Sequence, residues 1–195
     1  MPVVTFHFVK DLIFSLVFLV GVYFLVHNPI TQPTPEYHLG MWSVETLQHP
    51  LLLGLAGHNY LILRNDKGQI VSELHGLATD ASTGTYKYFG TKKTDELKVW
   101  EFSSIRYSMK EYQFPGVVLT QGDVSTTLTL WGLAKNCMAE INKKDILYSL
   151  YGINLLGTTE NSNSATYTLA QCMGLDIRHI GIFTPGSQTD LLESR

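Results

Sequence analysis

Two histidines and a serine at a helix start are the residues of this sequence best suited to proton-coupled chemistry. The stretch GTTENSNSATYTLAQCMGL, residues 157–175, sets Asn161-Ser162-Asn163-Ser164 before a helical run that stops at Gly174. A helix N-terminus carries unsatisfied N–H groups and a partial positive charge, which stabilise a developing oxyanion or lower a nucleophile's pKa. Ser162 or Ser164 would stand at that position. A serine hydroxyl is weak until a base takes its proton, and histidine is the usual base near neutral pH. His58 and His75 supply the imidazoles, one able to orient the other, and Glu73 and Asp80 are further candidate orienters. The same polar residues are also favoured helix caps, which need no function.

The elements that must position these groups follow from the pattern around them. HNYLILRNDKGQIVSELHG, residues 58–76, has two strand-like apolar runs flanking Asn65-Asp66-Lys67-Gly68, with Gly68 suited to a left-handed loop position. If those four residues form the loop, Arg64 faces Gln69, Ile62 faces Val71, Tyr60 faces Glu73 and His58 faces His75. Residues 96–108 read as another strand and 116–121 as a short one. Asp123 can cap a helix with Val124, Leu128, Trp131, Met138 and Ile141 near one face. The apolar stretch DILYSLYGINLLG leads into the last helix, from about Ser164 to Met173, and Pro185-Gly186 turns the tail.

The N-terminus is different in kind. Leu12 to Val26 is charge-free and almost wholly apolar, and extended to Phe8 and Ile30 it reaches the roughly 20 residues that cross a bilayer. No small-x-small cleavage pattern follows it, which favours an uncleaved signal-anchor. Lys10 precedes the run and no Lys or Arg follows until Arg64, so the remainder is expected outside the cytoplasm. Residues 28–38 contain three prolines and read as a spacer. The expected organisation is thus a signal-anchor over 1–30, a Pro-rich linker over 31–38 and a domain over 39–195. The expected fold class is α+β: an N-terminal transmembrane helix, then a small antiparallel sheet packed on two or three helices.

Composition narrows the partners. The 195 residues are 45% hydrophobic and 16% charged with a net charge of −3, and no basic stripe invites nucleic acid. Cys137 and Cys172, the only cysteines, show no zinc-like spacing. They fit one disulfide in an oxidising compartment, or buried free thiols on apolar helix faces, where Cys172 would be inert as a nucleophile. A metal held by His58, His75 and Glu73 or Asp80 lacks a third ligand of recognisable spacing, so no metal or cofactor is expected.

GHNYLILRNDKGQIVSELHG and the Asn161–Ala165 block together resemble the permuted papain-like families, such as the lecithin:retinol acyltransferase group and its cell-wall endopeptidase relatives. In those families a His opens a strand, a second polar residue follows on the next, and an Asn-Cys-x-x-aromatic block at a helix start carries the nucleophile. The resemblance implies a papain-like fold with His58 as base, His75 as orienting residue and Ser162 at the nucleophile position. Asn161, Asn163, Ser164 and Tyr60, beside these positions, are the expected substrate contacts. The chain departs from the pattern with Ser162 in place of cysteine and Ala165 at the aromatic position, which leaves either a serine variant or an inactive descendant.

Two functions are therefore expected from the sequence. The first is a membrane-anchored extracytoplasmic hydrolase or acyltransferase acting on an amide or ester of the cell envelope through a Ser/His site. The second is a non-catalytic envelope protein on the same scaffold that binds a lipid, a peptide or a protein. In both, the N-terminal helix would sit in the lipid of a bacterial inner membrane with the domain facing the periplasm.

Overall fold

The computed structural model describes residues 40–51, 56–87, 90–103, 117–149, 159–177 and 184–193. Its strands are β1 (Trp42–Leu51), β2 (Ala56–Arg64), β3 (Ile70–Asp80), β4 (Tyr86–Lys87), β5 (Asp95–Phe102) and β6 (Val117–Gly122), and its helices α1 (Val124–Lys143) and α2 (Ser162–Cys172). All strand pairs are antiparallel and form a six-stranded sheet of order β4-β3-β2-β1-β6, with β5 on the remaining edge of β3.

This corrects the expected fold class. The sheet is larger than a hairpin-led platform, and two helices pack on it among the described residues. Among those residues no helix is long and apolar enough to cross a membrane. The longest, α1, carries Ser, Thr, Lys and Asn along its length and is amphipathic, as a helix lying on a sheet should be. The expected anchor over 1–30 and linker over 31–38 lie outside the described residues.

The sheet is larger because β1 does not read as a strand from hydropathy. Its buried positions include Ser43, Glu45, Thr46 and Gln48. Glu45 is tolerated there because Arg64, across β2, meets its carboxylate with two N–H groups, Nε at 2.8 Å and Nη2 at 3.0 Å. Ser43 donates a further bond of 2.7 Å to the same carboxylate. A buried charge is acceptable when it is paired and hydrogen-bonded in this way.

The hairpin register differs from the expected one by two residues, for two separate reasons. The turn is tighter, with the Asn65 N–H bonded to the Gln69 carbonyl at 2.9 Å and Gly68 at φ 78°. A bulge between Leu63 and Arg64 then passes over Val71, so Ile62 pairs with Glu73 and Leu61 with Leu74. An even shift keeps every side chain on its expected face.

The helix-side face of the sheet carries Val44, Leu61, Leu63, Leu74, Ala78, Leu97 and Val99, which pack against Trp131, Ala134, Ile141, Ala165 and Leu169 of the helices. Val124 and Leu128, expected on the buried face of α1, are 46% and 43% exposed, and Thr127 takes the buried place instead. Asp123 caps α1 by accepting from the Thr126 N–H at 3.0 Å. Cys137 and Cys172 form a disulfide that ties α1 to α2, so the free-thiol alternative does not hold. The sequence anticipated an apolar helix face at both positions but carries no sign of their proximity.

Candidate Ser/His site

The site lies where β2 and β3 part. Their pairing runs from Arg64 and Ile70 to Leu61 and Leu74. Beyond Leu74 the same edge of β3 is taken by β4 at Ala78 and Thr79, while β2 continues alone towards Ala56. The N-terminus of α2 supplies the missing partner. Asn163 accepts from the Asn59 N–H at 2.9 Å and donates to the Gly57 carbonyl at 3.1 Å, so its amide brackets His58 as a neighbouring strand would. Thr166 donates to the Asn59 carbonyl at 2.7 Å.

On β3 the close approach is made at Gly76. A Cβ there would stand 2.5 Å from the Ala165 Cβ and 3.1 Å from the Ser162 Cα, so only glycine lets α2 settle. The helix begins with a complete capping box. The Asn161 side chain accepts from the N–H groups of Asn163 and Ser164 at 2.8 and 3.2 Å, and the Ser164 hydroxyl accepts from the Asn161 N–H at 2.8 Å. Asn161, Asn163 and Ser164 are thereby buried and build the helix entry. Ser162, the first helical residue, is buried as well. Ser162 faces the phenol of Tyr148, and its hydroxyl and backbone N–H draw that phenol's pKa down against the larger effect of burial.

His58, Tyr60, His75 and Glu73 face away from the helices and form a second group. His58 Nε2 lies 3.1 Å from His75 Nδ1, and His75 Nε2 lies 3.1 Å from Glu73 Oε2. The contact between the two rings is diagonal, because the two-residue register shift sets Tyr60 rather than His58 beside His75. Tyr60 stacks on the His75 ring with centroids 4.2 Å apart. His75 and Glu73 are completely buried.

The row has a direction. A Glu73 carboxylate can only accept, so His75 Nε2 carries a proton and its Nδ1 is an acceptor. His58 then donates from Nε2, and in the neutral ring the lone pair falls on Nδ1. Burial, then the neighbouring imidazoles of His75 and His49, hold His58 well below the ordinary imidazole range. Burial also lowers His75, against the pull of its bond to Glu73. Burial and Glu73 push the Tyr60 phenol well up, and burial does the same to Tyr148. The imidazoles are therefore neutral near pH 7, the form in which a histidine accepts a proton.

The serine and the histidines approach the gap from opposite faces of the sheet. Gly76, under Ser162, belongs to the face that carries Leu74, Ala78 and the helices, whereas His75 points the other way. Asp80, a candidate orienter from the sequence, stands at the far end of β3 and is bound by Lys92 at 2.7 Å and Lys87 at 3.3 Å. Among the described residues no group of three or more His, Cys, Asp or Glu is arranged to hold a metal ion.

Sequence reasoning missed the roles of Tyr148 and Gly76, and it attached Glu73 to no particular ring. Glycine directly after His75, within a strand that runs on to Asp80, was the available signal for a close approach. Nothing local marks Tyr148. Compared with known protein families, with curated proteins and with solved structures, the chain gives no match.

Proposed function

We propose that this protein is an extracytoplasmic hydrolase or acyltransferase that acts on an amide or ester of the cell envelope. The observation that carries the reading is the buried, hydrogen-bonded row His58–His75–Glu73, in which two neutral imidazoles line up on a carboxyl group. Three titratable side chains without solvent cost folding free energy, and catalytic sites are where such arrangements concentrate. In the proposed step Ser162 Oγ bonds to the substrate carbonyl carbon and its proton passes to His58. The carbonyl oxygen becomes an oxyanion at the N-terminus of α2. Collapse expels the leaving group, which takes the proton from His58, and water or an acceptor alcohol or amine then releases the acyl group. His75 holds His58, and Glu73 sets the tautomers of both rings. The Cys137–Cys172 disulfide supports an oxidising compartment and hence an envelope substrate.

A second reading, a non-catalytic envelope protein that binds a lipid, peptide or protein partner, is favoured by Tyr148. Its phenol stands against Ser162, whose hydroxyl and N–H are the two groups that catalysis requires. A fluorophosphonate or β-lactone probe separates the two. Labelling of the wild type that is lost in Ser162→Ala and in His58→Gln supports the enzyme. A folded wild type that does not label, or turnover of an envelope extract that persists in Ser162→Ala, overturns it.

A further inference from the structure

The edges of the sheet are not treated alike. On β5, the Leu97 N–H donates to the Ile146 carbonyl at 2.7 Å and the Asp95 carbonyl accepts from the Tyr148 N–H at 2.8 Å. Beside them the Asn142 amide accepts from the Val99 N–H at 2.6 Å and donates to the Val99 carbonyl at 2.8 Å. The free stretch of β2 is closed by Asn163 and Thr166, and β4 is two residues long and carries Lys87. β6 ends the sheet beyond β1, and no strand among the described residues pairs with its outer edge. All six of its residues are partly exposed. We propose that this edge is an interface between two copies of the chain, in which β6 pairs antiparallel with β6 of a second copy about a two-fold axis. The proposal is independent of the Ser/His chemistry.

An open edge strand offers its N–H and C=O groups to any extended chain, and proteins blunt such edges with charged side chains, proline, bulges or short length. β5 carries Asp95, Glu96, Lys98 and Glu101. β6, VVLTQG, has neither a charged residue nor a proline, and its one irregularity is the bulge against Val44 and Glu45. What covers such an edge is an extended strand. A second β6 fits, because an uncharged strand that pairs with itself sets no like charges opposite each other. The surroundings point the same way. Of the five large hydrophobic side chains exposed among the described residues, Met41, Val124 and Leu128 belong to this end of the sheet, at 44%, 46% and 43%. Met41 precedes Trp42, which pairs with Gly122, and Val124 and Leu128 stand in the opening turns of α1, directly after β6. α1 then crosses the sheet and ends on β5 through Asn142, so only its opening turns stay near this edge. A two-fold axis normal to the joined sheet sets both copies of α1 on one face with those turns near the junction, which removes exposed apolar surface from water.

The test is cysteine cross-linking of the full chain in mild detergent. Cys137 and Cys172 are the only cysteines and are bonded to each other, so a cysteine introduced on β6 is the one free thiol. Each residue from Val117 to Gly122 is replaced by cysteine in turn, with Lys67→Cys in the exposed hairpin turn as control. Mild oxidation is expected to give a dimer on non-reducing gels that peaks at one or two neighbouring positions within β6 and falls away on either side, as a two-fold axis requires. Sedimentation of the cysteine-free-thiol wild type against Val118→Lys with Thr120→Lys is the second arm. The lysines should weaken the dimer by about tenfold or more, and mixing with Val118→Glu with Thr120→Glu should restore it. Residues 12–26 are the same in every variant, so association through them would persist in the lysine variant and select no position on β6. Cross-linking on β6 no greater than at Lys67→Cys, or a dimer that the lysines leave unchanged, overturns the proposal. A monomeric wild type overturns it as well, and leaves the edge to a strand of another protein.

Discussion

Acidification should weaken this fold well before its carboxylates titrate. His58 and His75 are held below the ordinary imidazole value in the folded state, so the unfolded chain takes up protons first as pH falls. Stability from this source is fully present above about pH 6.5 and is lost below it, until the folded-state values are reached. For a ring that stays neutral in the fold, the loss between about pH 6.5 and about pH 5.5 is RT ln(11/2), about 1 kcal/mol. His58 contributes nearly all of that amount. His75, whose bond to Glu73 opposes the effect of burial, contributes up to as much again. The wild type should therefore lose up to about 2 kcal/mol over this interval, with a smaller part from His49. Carboxylates add little there, since their unfolded values lie near 4. Urea unfolding at fixed pH, read by tryptophan fluorescence with the disulfide intact, measures the slope. His58→Phe should be less stable at pH 7 yet fall less steeply, by about 1 kcal/mol over the same interval. A flat wild-type profile, or a His58→Phe profile as steep as the wild type, refutes the view that these rings are neutral and buried.

Other substitutions test the assembly of the gap. Asn163→Ala removes the partners of the Gly57 carbonyl and the Asn59 N–H, and should cost about 2–5 kcal/mol by the same unfolding assay. Gly76→Ala places a methyl group against Ala165 and Ser162, and should lower the melting temperature and displace α2, visible as new tryptic cleavage near its N-terminus. Cys137→Ser with Cys172→Ser opens a cross-link between residues 35 apart and should cost about 3.8 kcal/mol in the chain-entropy account, measured against the oxidised wild type.

What the sequence disclosed depended on whether the signal was local. The hairpin, the cap at Asp123 and the polar entry to α2 all depend on residues within a few positions of one another, and each was legible. α2 starts at Ser162, two residues before the expected Ser164, because the capping partner is Asn161. The register slipped because a bulge leaves no mark in an alternating pattern. β1 was missed because its buried Ser43 and Glu45 depend on Arg64, which is remote in sequence. The meeting of His58 with His75 was anticipated as a direct pair, yet it is made diagonally across a wider spacing. The part of the site that joins α2 to β2 was beyond sequence reasoning, since Asn163 looks like any other cap-region asparagine until its strand partners are known.

The substitution of a side-chain amide for a strand has a consequence for how the chain reaches its native state. Asn163 and Thr166 close contacts with Gly57 and Asn59 over separations of 104 to 107 residues. Contacts of that range carry the largest loop-closure entropy and are expected to form late in folding. The hairpin can bring His58, His75 and Glu73 together early, from neighbours in sequence. Ser162 arrives only when α2 docks on the exposed edge of β2 over Gly76. Until then that edge is unpaired and open to another strand, so the step that completes the site also closes a route to edge-to-edge aggregation.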